Sequence, residues 1–359
     1  VDWEAGLEWV RRVQTLSSPA LTAAMKIITG LVSEYVFVLL LAGLYWFWNE
    51  QKAFRLGLLL ILSHWCNEAA KYAFGTPRPF HLDPSLGMIP EQGFGFPSGH
   101  AQFSLTLLIP LAWALTETSA SGGAVFRSAP VRIGIRTAAG ALALLIAFSR
   151  VYLGVHFPWD IAGGWLLGGL LLSVFFLCRL PAARKKANAL ADFFVRRGER
   201  SAARAGRAAL AAAAAVSFAM LSLLPQNPVP GALFLGFCAG YIFYRFPGAK
   251  TGAEVSAQTG AGASPRIEAA ARAGAFPAFP GGGKRAALVF QAALFAAGLA
   301  GAAAISVVLK GIFPGPDSPH YVLFRFIRYG LGAFWVSGGA PRLFRRLAER
   351  SGGGAGPGA

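Results

Sequence analysis

The chain has 359 residues, of which 55% are hydrophobic and only 14% are charged, a balance that excludes a soluble domain with a solvated surface. Many of the apolar runs approach the length of about 20 residues that a helix needs to cross a bilayer. A net charge of +17 would indicate nucleic-acid binding in a soluble protein, so the positions of the basic residues decide what this charge means.

The predicted elements begin with an amphipathic helix over residues 2–16, which we expect at the membrane interface. Acidic residues at its start argue against a signal peptide in this stretch. Apolar spans are then predicted at 28–48, 54–74, 98–116, 131–149, 158–178, 208–224, 231–246, 286–309 and 321–338. A re-entrant hairpin is the alternative for the short pair over 208–246. The pattern predicts an all-α, polytopic membrane helical bundle.

The basic residues are shared unequally between the two sides that such spans define. Most of the 33 lysine and arginine residues fall in loops on one side, which the positive-inside rule makes cytoplasmic. The sequence therefore predicts a multi-pass protein, most simply of a bacterial inner membrane. The positive charge is explained by topology, and nucleic acid is not expected as a partner.

Three polar stretches lie at the ends of spans two to five, and all are predicted to face the non-cytoplasmic side. They are Lys71–Pro79 with Arg78, Pro97–His100 with Ser98 and Gly99, and Ser149–Asp160 with Arg150 and His156. Three basic side chains suit a phosphate dianion, and the N–H groups at a helix start also bind anions. A histidine with a carboxylate four residues later can serve as an oriented nucleophile or base.

Together the three stretches resemble the signature of the type 2 phosphatidic acid phosphatase superfamily, K-x6-RP, PSGH and SR-x5-H-x3-D, in the family's order. The resemblance implies a six-helix membrane core, with about three extra spans in this chain. Together with the composition, it predicts four segments: an external amphipathic segment 1–27, a core 28–224 with a basic cytoplasmic loop 179–207, further helices 225–342 with a disordered loop 247–284, and a disordered tail 343–359.

The resemblance also implies residue roles. His156 would attack phosphorus, Asp160 would orient it, and His100 would protonate the leaving oxygen and then activate water. Lys71, Arg78, Ser98, Gly99 and Arg150 would bind the phosphate. No metal or other cofactor is expected, because the three cations take that part and the sequence lacks a carboxylate cluster.

The implied function is removal of phosphate from a lipid phosphate or diphosphate in the bilayer, such as phosphatidate, phosphatidylglycerophosphate, a polyprenyl diphosphate or a lipid A phosphate. A glucose-6-phosphatase-like hydrolase of soluble sugar phosphates and a lipid phosphotransferase are the alternatives. A transporter or binding homologue is the non-enzymatic alternative, against which the intact histidine pair argues. Taken singly, Lys71 and Arg78 could be interface residues, and Pro97–His100 a helix cap. The sequence leaves a homo-oligomer open.

Overall fold

A computed structural model describes residues 2–117, 126, 128–180, 200–245 and 284–352, and every regular element in these ranges is helical. The predicted all-α fold is thus confirmed. The disorder predicted for 247–284 falls almost wholly outside the described residues, as does most of the basic loop 179–207.

The helices follow the predicted spans closely, with additional short elements between them. They are α1 Trp3–Gln14, α2 Pro19–Gly30, α3 Glu34–Phe47, α4 Glu50–Phe74, α5 Pro79–Leu82, α6 Gly99–Thr116, α7 Ala129–Tyr152, α8 Pro158–Leu177, α9 Arg200–Leu223, α10 Val229–Arg245, α11 Lys284–Ile312, α12 Tyr321–Phe334 and α13 Ala340–Gly352. A 3-10 turn, Pro84–Leu86, follows α5, and a π-helical turn, Trp335–Gly339, joins α12 to α13.

Four helices within the described ranges are long and apolar enough to cross a membrane. They are α7, α8, Gly206–Leu223 of α9 and Arg285–Ile312 of α11. Two shorter apolar helices, Val36–Phe47 and Val229–Tyr244, coincide with other predicted spans. Charged residues in α4, and His100 and Gln102 in α6, lower the mean hydropathy of those two helices. The chain is a multi-pass membrane protein.

The first predicted span, 28–48, is wrong at its start. The structure has two helices here, because α2 ends at Gly30 and α3 begins only at Glu34. The hydroxyl of Ser33 accepts from the N–H of Val36 at 3.5 Å, which is the contact of a helix N-cap. Hydropathy alone does not reveal this break, because Leu31 and Val32 are as apolar as the helix that follows.

The tail predicted as disordered from 343 onward is also helical up to residue 352. Its apolar side chains recur at helical spacing, and Phe344 is fully buried with its ring 5.4 Å from that of Trp46. An amphipathic face that finds an apolar partner stabilises a short helix that polar composition alone would not predict.

The helices divide into two compact units. The first comprises Val1–Val38 and Leu56–Arg184, and the second comprises Leu39–Arg55 and Lys185–Ala359. In the second unit, Gly236 and Gly240 of α10 bring its backbone against Gly330 and Gly338, where any side chain would collide. All three predicted motifs lie in the first unit.

In the first unit, the amphipathic helix α1 packs on protein as well as facing outward. Leu7 and Val10 are buried in one cluster with Val151, Phe157 and Ile161. The Nε2 of Gln14 donates to the carbonyl oxygens of Leu86 and Tyr152, at 2.8 and 3.0 Å. The N-terminal helix therefore braces the turn that follows α7.

Candidate active site

Helix α7 ends and α8 begins within a few residues, and the turn between them carries the third motif. Gly154 adopts φ +71°, a left-handed conformation that glycine reaches without a Cβ penalty. A Cβ there would also collide with the carbonyl oxygen of Leu86. Pro158 occupies the first turn of α8, where its fixed φ favours helix initiation. The chain can therefore reverse at once and return His156 towards the end of α7.

His156 is almost fully buried, and both of its ring nitrogens have partners. Nδ1 lies 3.2 Å from Oδ2 of Asp160, and Nε2 lies 3.1 Å from Nη1 of Arg78. A guanidinium can only donate, so Nε2 must accept and the ring proton must sit on Nδ1, facing the carboxylate. This is the tautomer in which Nε2 has a lone pair for attack on phosphorus.

Burial, and next the positive charges of Arg78, Arg150 and Lys71, lowers the pKa of His156 well below its usual value of 6.5. The imidazole is therefore neutral at neutral pH, as a nucleophile requires. Burial likewise lowers the pKa of Arg78 to about 10, although the negative charge of Glu91 opposes this shift. Because this value is still far above neutral pH, the guanidinium stays charged.

Asp160 is held in place by the backbone on both of its sides. Its Oδ2 also accepts from the N–H of Phe157 at 2.9 Å, and its carbonyl oxygen accepts from the N–H of Ser98 at 2.9 Å. The carboxylate thus fixes the start of α8 and the imidazole of His156, and the carbonyl oxygen of the same residue fixes the start of α6. Its Oδ1 is buried without a hydrogen-bond partner among the described residues.

Arg78 is fixed by backbone carbonyl groups. Nε donates to Gly93 at 2.9 Å, Nη2 to Gln92 at 2.9 Å and Nη1 to Val155 at 3.0 Å. Its side chain is only 1% exposed. Because the same Nη1 faces His156, a phosphate that reacts with Nε2 has to take over this N–H.

Arg150, in the last turn of α7, is equally buried, but one of its three side-chain nitrogens has no partner among the described residues. Nη1 donates to the hydroxyl of Thr29 at 2.8 Å, and Nη2 pairs with Oε2 of Glu91. Nε is buried and has no hydrogen-bond partner in the described part of the chain. A buried unpartnered donor is costly, so this N–H is a candidate for binding a substrate oxygen.

Ser98 caps α6, its hydroxyl accepting from the N–H of Ala101 at 3.5 Å. The backbone N–H groups of Gly99 and His100 have no partner in the described ranges, which is the usual state of a helix N-terminus that binds an anion. A Cβ at Gly99 would lie 3.1 Å from Oδ1 of Asn67, so glycine keeps this approach open.

His100 and Lys71 interact electrostatically with the two arginines of the site. The charges of Arg150, Lys71 and Arg78 all act on His100, and Lys71 interacts electrostatically with Arg78 and Arg150. Neither side chain makes a hydrogen bond to another described residue. The structure therefore gathers Lys71, Arg78, Ser98, Gly99, His100, Arg150, His156 and Asp160, all the residues predicted from the motifs, in one region of the first unit.

A buried network of polar side chains from α4 and α6 holds the second motif, Pro97–His100, in place. Asn67 of α4 donates to the carbonyl of Pro97 at 3.3 Å and to Oε1 of Gln102 at 2.8 Å. Gln102 donates in turn to the carbonyl and hydroxyl oxygens of Ser63, both at 2.8 Å. These amides join α4 to α6 and fix the position of the Pro97–His100 turn.

Sequence reasoning missed Glu91, Thr29, Asn67 and Gln102. Glu91 could have been suspected, because three clustered cations need a counter-charge and it is one of two acidic residues between the first two motifs. Thr29 lies far away in sequence and belongs to no motif. Asn67 and Gln102 carried a weak signal, as amides within otherwise apolar helices.

Within the described ranges, no three His, Cys, Asp or Glu side chains are grouped so as to hold a metal ion. The charged groups of the site are three cations with Glu68, Glu91 and Asp160. This donor set suits an anion better than a metal cation.

Comparison with known proteins agrees with this arrangement. The model of the "PAP2 superfamily" matches residues 52–184, the stretch that holds all three motifs. Residues 52–184 are a PAP2 superfamily domain. A second model, "PAP2 superfamily phosphatase, transmembrane extension", matches residues 257–351. The resemblance inferred from the motifs is thus confirmed, and the PAP2 domain coincides largely with the first compact unit.

Two relatives illustrate the range of similar proteins. An undecaprenyl-diphosphatase of Sulfolobus acidocaldarius is 33% identical over 141 residues, which cover 38% of this chain and 59% of that protein. Glucose-6-phosphatase 3 of Mus musculus is 35% identical over 107 residues, 30% of this chain and 29% of that protein. The chain thus spans well under two thirds of the length of these relatives.

A solved structure, the transmembrane PAP2-type phosphatidylglycerolphosphate phosphatase from Bacillus subtilis, is also similar. It has 27% sequence identity and a TM-score of 0.42, over 49% of this chain and 84% of that chain.

Proposed function

We propose that this chain is a metal-independent phosphatase that removes phosphate from a membrane lipid phosphate or diphosphate through a phosphohistidine on His156. One observation carries the proposal. A neutral, buried imidazole, with its proton directed at Asp160, has its Nε2 beside Arg78 in a cluster of three cations. Binding alone would not require a histidine prepared in this way.

In the first step, Nε2 of His156 attacks phosphorus and the bond from phosphorus to the ester oxygen breaks. The negative charge of the bound phosphate favours the imidazolium form of His100, which gives its proton to the leaving oxygen and becomes neutral. A lipid monophosphate then leaves as the alcohol, and a lipid diphosphate leaves as the lipid monophosphate. Asp160 stabilises the positive charge that develops on the phosphorylated imidazole. Arg78, Arg150, Lys71 and the N–H groups of Gly99 and His100 would bind the three equatorial oxygens.

In the second step, His100 takes a proton from water, whose oxygen attacks phosphorus. The bond from phosphorus to nitrogen breaks, phosphate leaves, and His156 returns to its starting tautomer. The catalytic roles of His156 and Asp160 are supported by their contacts, and that of His100 by its place in the matched PAP2 domain and by the nearby cations. A lipid substrate is supported by the position of all three motifs beside apolar helices.

The experiment is phosphate release by the purified full chain from radiolabelled phosphatidate, phosphatidylglycerophosphate, a polyprenyl diphosphate and glucose 6-phosphate. We expect turnover of a lipid substrate in the presence of EDTA, with an acid-labile phosphoenzyme. His156→Ala should abolish both, whereas the matched control His320→Ala, an exposed histidine of the other unit, should not. Faster turnover of glucose 6-phosphate than of every lipid, or a requirement for added magnesium, would contradict the proposal.

A further inference from the structure

We propose that Glu91 is a positioning residue that holds the guanidinium groups of Arg78 and Arg150 together while the site is empty. This inference rests on the function proposed above. The carboxylate lies between the two arginines, with Oε2 paired to Nη2 of Arg150 and Oε1 4.0 Å from Nη2 of Arg78. One carboxylate thus directs one oxygen towards each guanidinium.

The charges explain why such a residue is needed. Both arginine side chains are 1% exposed, and Lys71 adds a third positive charge nearby. Like charges in a poorly solvated site repel strongly, and a buried charge without a partner is costly. When no phosphate is bound, Glu91 supplies the counter-charge that keeps the two guanidinium groups close.

The guanidinium nitrogens that Glu91 contacts indicate that it positions the two arginines and does not occupy the site where phosphate would bind. On Arg78, Glu91 faces Nη2, whereas Nη1 faces the nucleophilic Nε2 of His156. On Arg150, Glu91 and Thr29 take Nη2 and Nη1, and Nε stays without a partner in the described part of the chain. The carboxylate therefore leaves N–H groups available for a phosphate next to His156.

The neighbouring backbone strengthens this interpretation. The carbonyl oxygens of Gln92 and Gly93 bind Nη2 and Nε of Arg78, so residues 91–93 contact both arginines. Gly93 adopts φ +73°, which lets the loop turn and present its carbonyl groups inward. Glu91 and the two carbonyl groups together fix the orientation of both guanidinium groups before substrate arrives.

The test compares Glu91→Gln, Glu91→Asp and the wild-type chain. The dissociation constant of inorganic phosphate is measured by calorimetry, and KM and kcat are measured with p-nitrophenyl phosphate. Removing one partner of a buried charged pair should weaken phosphate binding, so we expect Kd and KM to rise about 10- to 100-fold in Glu91→Gln, with a smaller change in kcat. Glu91→Asp should recover part of the loss. Asp83→Asn, which removes a nearby carboxylate that pairs with Arg11 instead, is the matched control.

Phosphate binding by Glu91→Gln that is equal to or tighter than that of the wild type would overturn the proposal, and tighter binding would make Glu91 a competitor of phosphate. A fall in melting temperature without a change in Kd would also overturn it. If the wild type binds phosphate but turns over no substrate, the proposed function fails, while the comparison of dissociation constants still decides the role of Glu91.

Discussion

Replacing Asp160 by asparagine tests most directly how His156 is prepared for attack. The carboxylate accepts from Nδ1 of His156 at 3.2 Å and from the N–H of Phe157 at 2.9 Å. An asparagine side chain has one acceptor oxygen for these two donors. If that oxygen keeps the N–H of Phe157, the amide NH₂ faces Nδ1 and drives the ring proton to Nε2. Nε2, the nitrogen proposed to attack phosphorus, would then lack a lone pair.

The expected loss in the rate of phosphohistidine formation can be worked out in two ways. A unit negative charge 3.2 Å from the imidazole stabilises the cationic intermediate by about 5 kcal/mol at an effective dielectric constant of about 20. In a serine protease triad, the same aspartate-to-asparagine change lowers kcat about 10⁴-fold through the wrong tautomer. The two routes agree, so we expect phosphohistidine formation to slow by about 10³- to 10⁴-fold.

Rapid-quench measurement of the first turnover, with radiolabelled phosphatidate at saturation, reads this step directly. The melting temperature of Asp160→Asn shows whether the start of α8 has survived, because the same carboxylate binds the backbone of Phe157. Asp83→Asn serves again as the control and should leave the rate within about twofold. A loss of less than tenfold in a folded variant, or a change confined to KM, would refute the assigned role of Asp160.

Three further outcomes are expected. His100→Ala should still form phosphohistidine from p-nitrophenyl phosphate but fail on a lipid monophosphate, since only the alkoxide needs protonation; equal loss on both substrates would assign His100 to phosphate binding. Because the folded pKa of His156 lies below the unfolded value of 6.5, the unfolded state binds more protons in acid, and stability should fall as the pH drops below about 6.5. The fall in melting temperature between pH 7.5 and 5.5 should therefore be smaller in His156→Asn, and equal falls would contradict a buried neutral imidazole. Finally, a single cysteine placed at residue 85 should react with an impermeant thiol reagent in intact cells, and labelling only after lysis would place the site on the cytoplasmic side.

The motif residues could be predicted from sequence because their spacing records a local geometry. His156 and Asp160 are four apart, and a turn ending in a helix start brings them together whatever surrounds them. The break between α2 and α3 could not be seen, since Leu31 and Val32 continue the apolar run. Hydropathy reports composition, whereas the break depends on a side-chain cap at Ser33.

The partners of the two arginines were hidden for a different reason. Thr29 is 121 positions from Arg150, and the bond between them exists only because α2 packs against α7. Glu91 lies in a loop whose path no periodicity describes. Contacts set by tertiary packing leave no pattern in the chain, so they became visible only in the structure.

The bond between Gln14 and the carbonyl of Tyr152 has a consequence for biogenesis. Its two ends are separated by 138 positions, and the PAP2 model begins only at residue 52. At about 5–20 residues per second, a ribosome needs roughly 7–28 s to make the intervening chain. Throughout that time α1 exists without the turn it will brace, and an amphipathic helix in this position can rest on the lipid surface meanwhile. The turn that holds His156 can therefore be braced only well after the bracing segment itself has been synthesised.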